Sequence, residues 1–557
     1  MKHFFREKHR IILLIVSVLF FGIYNFLNIT AHAQVSAYAD EDTVPYILFN
    51  QPDESVNYFF VRQFVLHDVI GSVESLADIS FDQLHPRSTT VVDGRLVPIG
   101  FPGIVLLLGL LIKCLVLIAG VSMFNIVALA IVPAVAAMTP LLVYATMRRV
   151  FDKDMALVGA LLCYVIPAWW YYGSRSFQHN SVALFFVVLS LYGWVCLYTH
   201  KRWWYACLVG FAIGMALYIR PSEWLWVLAL HAGIAGYTSY IYKKKYALSA
   251  LAVLAIMGIL FFYTQYLFYG DIFGSGYVRP HIDGGAGRVF EGPQGISFLR
   301  AIVLPFGFSL GNIVRTAYRY LFLLFPVWSI ATGISFVSII VMRLKKYHSP
   351  VFDRLWRYTL VYSAVSVWLL VYYGSWSFVD NLAGQVSIGS SQVRYFLQIY
   401  VGALPLLVWG LTRLWRQRRW WIGIGALAVV SLLFVSSYYS VYRSFEGLSH
   451  ISTVLATNYE RQEKILQYTS ADAVIVTRFG DKYIFPHRDV IPGLTLDVHY
   501  AAVQALLAHD IEVWWYDLSL DLDSAIELRN QLHTYGLQLT DPIDMWDNLE
   551  LRRIEFE

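Results

Sequence analysis

Apolar runs close to the length of a bilayer span recur along residues 1–440, separated by short clusters of Lys and Arg. A water-soluble chain would space its apolar residues at helical or alternating intervals, so that one face meets a core. Unbroken runs instead match the hydrocarbon of a membrane, which takes about 20 helical residues to cross. The composition agrees: 14% of residues are charged and 58% hydrophobic, whereas soluble domains carry roughly 25% charged residues. The chain is therefore read as an α-helical polytopic membrane protein and not as a soluble enzyme. Its cations sit between the runs, as in Arg148-Arg149, Lys201-Arg202 and Lys243-Lys244-Lys245. A nucleic-acid binder would spread them over one solvated face, so no nucleic acid is expected as a partner.

Those clusters set the topology. The candidate spans are 11–29, 124–147, 156–173, 180–199, 203–219, 222–242, 247–269, 317–342, 356–374, 394–413 and 420–440. One more run, 101–119, decides the parity. If it crossed, the ends near Arg148, Lys201, Lys243, Arg343 and Arg416 would lie opposite the N-terminal Lys2, Arg6, Lys8 and Arg10. Cations favour the cytoplasmic side, so 101–119 is expected as an interfacial or re-entrant helix, which also keeps Lys113 away from the bilayer centre. The expectation is about eleven transmembrane helices, with the N-terminus cytoplasmic and the C-terminus extracytoplasmic. The basic head, apolar run and Ala31-His32-Ala33 at the start also fit a signal peptide. The 11–29 run is longer than most signal cores, and an uncleaved first helix is expected. The cysteines (Cys114, Cys163, Cys196, Cys207) lie in or beside apolar segments and read as buried small hydrophobes.

This topology exports a first loop at 30–120, loops at 270–316 and 375–393, and a tail from 441 to 557. The sequence thus divides into a transmembrane domain, 1–440, and a small soluble α/β domain, 441–557. In the tail, 473–477 and 511–516 read as strands, and 500–508 and 524–535 as helices. Segment 549–556 alternates like an edge strand. Such β and α alternation favours a layered α/β fold. In the first loop, Asp93-Gly94 between 89–92 and 95–97 is a strong hairpin signal.

The first loop also carries the candidate chemistry. Pro52-Asp53-Glu54 stands before Val56, Phe59, Phe60 and Phe64 at helical spacing. Proline suits a first helical position and acids there complement the helix dipole. The same acids at a membrane surface can act as a base on an acceptor hydroxyl. His85 and Arg87 stand nearby, either to contact a phosphate or sugar hydroxyl or to begin the turn before the hairpin. Arg220, Arg279 and Arg394 lie at or beyond the ends of apolar runs. Arginine presents a planar fork of donors to phosphate, and it equally anchors helix ends by snorkelling.

Pro52-Asp53-Glu54, with Tyr58 four residues later, resembles the first-loop Asp-Glu motif of the C-type integral membrane glycosyltransferases. That superfamily includes the protein O-mannosyltransferases and the lipid A aminoarabinose transferases. Pro98-Ile99-Gly100-Phe101-Pro102 is similar to the family's proline-containing juxtamembrane helix, and Ser174-Arg175-Ser176 to its outer-facing Ser-Arg turn. Tyr269-Gly270-Asp271 resembles a glycine-rich entry to the central loop, and Arg394-Tyr395 the start of a late helix. The resemblance covers roughly residues 1–440. It implies the C-type glycosyltransferase fold and transfer of a sugar from a polyprenyl phosphate to an extracytoplasmic acceptor (protein, lipid or glycan). It makes Asp53 the base and Glu54 its helper or a structural partner, with Arg87, His85, Tyr58, Arg175, Asn180, Arg220, Arg279, Arg394 and Tyr395 binding substrate among membrane lipids. Where many relatives carry a second acid, this chain has His179-Asn180. That departure leaves dependence on a divalent cation open, and no cofactor is identified. A polytopic lipid or glycan transporter or flippase is the alternative. Such proteins often show internal repeats and midplane polar groups, whereas here no repeat is evident and the polar groups gather at the outer face.

Overall fold

The computed structural model describes residues 2–31, 44–100, 102–239, 244–276, 303–376, 385–416, 420–520, 522–544 and 548–557. Long helices dominate. Among the described residues, eight are long and apolar enough to cross a bilayer, or ten if each of two bent pairs forms one span. The Pro102–Ala119 helix is one of the eight.

The helices differ in places from the apolar runs, and proline explains most of the differences. The expected 317–342 span is broken, because a new helix, Pro326–Leu344, starts with Pro326 in its first turn. Lys153–Val165 and Pro167–Gly173 meet at a bend of 58°, and Trp203–Ile219 and Pro221–Gly236 at 119°. Both bends fall where a proline removes a backbone donor and closes off continuation of the preceding helix. The expected 394–413 span resolves into Ser391–Tyr395, Leu397–Gly402 and Leu404–Trp415. Cys163 and Cys196 are buried as expected, but Cys114 is exposed on its helix and Cys207 half-buried.

The chain forms two compact units. The first comprises Met1–Ile29, Leu129–Leu260 and Ile296–Ile451. Small residues and interhelical hydrogen bonds join its helices, as expected where lipid removes the hydrophobic drive between them. A Cβ on Gly210 would lie 2.3 Å from the Ala250 carbonyl oxygen, and one on Gly214 2.4 Å from Met257. The Trp203–Ile219 and Lys244–Tyr269 helices therefore approach backbone to backbone. The Tyr24 hydroxyl donates to the Tyr164 carbonyl at 2.7 Å, and Trp328 Nε1 to Ser437 Oγ at 2.8 Å.

The second unit comprises Thr30–Ala128, Phe261–Gly295 and Ser452–Glu557. Its small sheet has the order β1-β3-β2, from β1 (Ser72–Val73), β2 (Thr89–Val92) and β3 (Arg95–Pro98). Asp93 and Gly94 both take positive φ (51° and 70°) at the turn, as a two-residue hairpin of primed type requires. Its larger sheet contains β4 (Val474–Val476), β5 (Asp489–Ile491), β6 (Val513–Leu518), β7 (Leu537–Leu539) and β9 (Leu549–Phe556). The order is β5-β4-β6-β9-β7, with β8 (Ile543–Asp544) also on β9. β4 runs parallel to β5 and β6, while β9 is antiparallel to β6 and β7. The β9 segment is thus interior and not the edge strand that its alternation suggested. Side-chain alternation reports which face is buried, not how many neighbours the backbone has.

Helices Asp497–Ala508 and Leu522–Thr534 supply Val503, Leu506 and Leu532 to the core of this sheet, beside Val476, Trp515 and Ile554. Leu84 of the first loop is buried in the same core, and Leu76 and Ile79 pack against it. The tail and the first loop therefore share apolar packing.

Candidate active site

The Pro52–Leu66 helix opens where Gln51 is extended (φ −109°, ψ 141°) and its carbonyl accepts from the N–H groups of Glu54 and Ser55, each at 3.1 Å. Pro52 takes the first turn at no cost in hydrogen bonds, since a first-turn N–H has no intrahelical partner. Asp53 and Glu54 follow. Glu54 is buried, 2% exposed, whereas Asp53 is half-buried. Asp53 Oδ1 accepts a hydrogen bond from the Ser88 hydroxyl at 2.7 Å. One turn on, Tyr58 is fully buried among Tyr46, Phe49 and Phe124. Its hydroxyl donates to Asn125 Oδ1 at 2.8 Å, and Asn125 Nδ2 donates to the Pro45 carbonyl at 2.9 Å. This arrangement anchors the strand of chain leading into the helix.

The turn before the hairpin holds the other first-loop candidates. His85 is buried, with Nδ1 3.3 Å from the Pro86 carbonyl oxygen. Burial lowers its pKa below the ordinary imidazole value, against the raising influence of that carbonyl and of Asp481. Arg87 Nε reaches both carboxylate oxygens of Asp481 at 3.0 and 3.1 Å, and Nη2 reaches Oδ1 at 2.6 Å. The Arg87 backbone N–H also donates to Asp481 at 2.8 Å. Its guanidinium charge is balanced there, and it lies 5.1 Å from the centre of the Phe479 ring.

The other described candidates lie in the first unit. Arg220, 1% exposed, stands at the vertex of the 119° bend. Its Nε donates to Glu223 at 2.8 Å and its Nη2 to the Tyr373 hydroxyl at 3.0 Å, which in turn donates to Glu223 at 2.9 Å. The guanidinium also faces Tyr395, 4.8 Å from its ring centre, and Tyr395 stacks on Tyr373 at 4.6 Å. A buried cation is tolerated when paired and hydrogen-bonded, and Glu223 provides that pairing. Arg175 Nη1 donates to the Tyr171 hydroxyl at 2.9 Å, and Arg394 Nη2 to Ser391 Oγ at 3.0 Å.

Asn180, at the start of the His179–His200 helix, donates to the Arg394 carbonyl at 2.9 Å. It thereby joins that helix end to the Ser391–Tyr395 turn. Around this junction Ser174 Oγ, Asn180 Oδ1, Ser181 Oγ, Ser390 Oγ and Gln392 Oε1 are buried with no hydrogen-bond partner among the described residues. Buried polar atoms are nearly always partnered, so this group is suited to a polar ligand. Arg279 lies outside the described residues.

The sequence reading named neither Glu223 nor Tyr373, and it gave Ser88 no role. Ser88 takes φ +68°, a left-handed conformation uncommon for non-glycine residues that its sequence neighbours do not signal. Among the described residues no group of three or more His, Cys, Asp or Glu side chains is placed to hold a metal ion.

A family model described as dolichyl-phosphate-mannose-protein mannosyltransferase matches residues 105–268. That segment includes Arg175, Asn180 and Arg220. No curated protein matches the chain by sequence. Among solved structures, ArnT from Cupriavidus metallidurans bound to undecaprenyl phosphate is 10% identical, with a TM-score of 0.54 over 98% of this chain and 97% of that one. The oligosaccharyltransferase of Archaeoglobus fulgidus, in complex with Zn and sulfate, is 14% identical. Its TM-score is 0.53, over 89% of this chain and 67% of that one. At such identities the likeness is one of fold. The matched segment and the shared fold together make this chain a structural relation of the C-type integral membrane glycosyltransferase superfamily.

Proposed function

We propose that this protein transfers a sugar from a polyprenyl-phosphate carrier to an extracytoplasmic acceptor, with inversion at the anomeric carbon. The observation that carries the reading is Asp53. It is a half-buried carboxylate in the first turn of a helix, oriented by a serine hydroxyl, in a chain with a glycosyltransferase fold. Asp53 takes the proton from the attacking acceptor group as that group bonds to the anomeric carbon. The bond from that carbon to the phosphate oxygen breaks, and the phosphate leaves with the electron pair. A positioned base of this kind contributes roughly 10²–10⁴ in rate. The departing charge needs fixed donors. Within the first unit, we assign Arg394 and Arg175, with Asn180 and the hydroxyls near it, to holding polar groups of a ligand.

A membrane-borne donor fits the composition of the chain, and undecaprenyl phosphate is bound by ArnT, whose fold it shares. The orientation belongs to the proposal: N-terminus cytoplasmic, first loop and tail outside. Its support is the agreement of the cation clusters with the positive-inside rule once the Pro102–Ala119 helix is counted as non-spanning.

The test uses the purified protein in lipid nanodiscs with radiolabelled polyprenyl-phosphate sugars and a panel of extracytoplasmic acceptors. The expected result is label in a water-soluble or acceptor-linked product, with release of the bare polyprenyl phosphate. Movement of intact sugar-lipid across proteoliposome membranes, with no bond cleaved, would instead favour a flippase.

A further inference from the structure

We infer that Asp481 of the C-terminal tail is a positioning residue for the Asp53 carboxylate, acting through Arg87 and Ser88. The inference rests on the reading of Asp53 as the base. It gives the tail a part in the reaction.

Ser88 has a left-handed backbone, φ +68°, which is unfavourable for a residue with a Cβ, so the surroundings must hold it. They do so from both sides. On the N-terminal side, the Arg87 N–H and guanidinium all converge on the Asp481 carboxylate. On the C-terminal side, the Ser88 carbonyl accepts from Ile99 N–H at 2.9 Å, next to the Thr89–Pro98 pairing of the hairpin. With its backbone fixed at both ends, Ser88 presents its hydroxyl to Asp53 at 2.7 Å.

Asp481 is itself buried. It is 1% exposed, and it opens the short Asp481–Ile484 helical turn. The preceding Gly480 is packed so closely that a Cβ there would meet Thr477 Oγ1 and the Tyr516 ring, each at 2.9 Å. The next residue, Lys482, donates to the Asn50 carbonyl at 3.0 Å, just before the cap of the Asp53 helix, and its own carbonyl accepts from the Ser55 hydroxyl at 3.4 Å. Two consecutive tail residues therefore hold both flanks of Asp53: the helix start through Lys482 and the serine turn through Asp481.

The carboxylate is thereby held in one orientation, and misplacement by about 1 Å can cost roughly a hundredfold in rate.

The experiment measures kcat and donor KM of the full-length protein in nanodiscs with a labelled polyprenyl-phosphate sugar. The variants are S88G, S88N, D481N, S88G/D481N and D53N, and R552Q serves as a tail control. Glycine relieves the backbone at position 88 while removing the hydroxyl, so S88G separates folding from positioning. We expect S88G to lower kcat about tenfold to a hundredfold at unchanged donor KM. Asn, which tolerates left-handed φ and carries an N–H donor, restores part of the rate. D481N shows the same kcat loss, the double variant is no worse than S88G because both act through one contact, and R552Q behaves as wild type. Wild-type kcat in S88G, beside an inactive D53N, overturns the positioning inference alone. So does a D481N protein whose folded fraction turns over at the full rate. Full activity in D53N overturns the underlying assignment of the base.

Discussion

Adjacent carboxylates at the start of the Pro52–Leu66 helix meet different surroundings, since Glu54 is buried and Asp53 keeps partial access and a hydroxyl partner. The same distinction, between a charge used for structure and one left for chemistry, applies to the arginines. Arg220 and Glu223 form a buried pair closed by Tyr373. Removing one partner of such a pair costs about 3–5 kcal/mol, whereas replacing both with apolar residues can be nearly neutral. An E223Q protein should therefore unfold at markedly lower temperature in detergent, and R220M/E223L should regain most of the loss. If E223Q melts like wild type, the pair carries no such weight. Glu74 supplies a pH dependence. Burial first, and the Asp489 carboxylate second, push it up to about 7, against the Leu76 N–H. A carboxyl raised above its unfolded value favours the folded state below the unfolded pKa. It loses that contribution as pH rises towards the folded value. The Ser72–Pro98 region should thus exchange amide hydrogens more readily, after correction for intrinsic rates, as pH rises from about 5 to about 7, and E74Q should remove the trend. An unchanged trend in E74Q would assign it to another group.

Among the elements, the hairpin, the proline-led helix start and the apolar helices were legible because each rests on local chemistry. Asp93-Gly94 accepts positive φ, Pro52 needs no donor, and an apolar run in lipid must satisfy its own backbone. What sequence reading missed is mostly non-local. The Arg87–Asp481 contact joins residues 394 positions apart, and no periodicity reports it. The Ser88–Asp53 bond depends on one backbone angle that a serine does not advertise. The Pro326 and Pro221 breaks and the Gly210-Phe211-Ala212-Ile213-Gly214 spacing were written in the residues, but an apolar window averages over them. That glycine pair is a specific element-scale test. Gly210→Leu would drive a side chain into the Ala250 backbone. It should separate the Trp203–Ile219 and Lys244–Tyr269 helices and sharply reduce monodisperse protein on size exclusion, while the larger residue at Gly233, which has open space around it, should be tolerated. Equal yields from both would contradict the close packing. In the tail core, Leu84→Ala should cost about 2–5 kcal/mol and loosen exchange in β4 and β6 as well as in its own loop, because one core holds all three.

Across the whole molecule, the chemistry depends on sidedness. In a cysteine-free background, Asp78→Cys in the first loop should react with an impermeant maleimide added outside intact cells, and Arg202→Cys only after permeabilisation. The reverse pattern would invert the proposed topology. The fold class was legible from the apolar runs and the order of short motifs. The central claim is that Asp53 accepts the proton of the attacking group during sugar transfer. It is tested most directly by turnover of the D53N protein with a labelled polyprenyl-phosphate sugar under saturating acceptor. A fall in kcat of roughly 10²–10⁴, with donor binding intact by filter assay, is predicted. Turnover at the wild-type rate would contradict it.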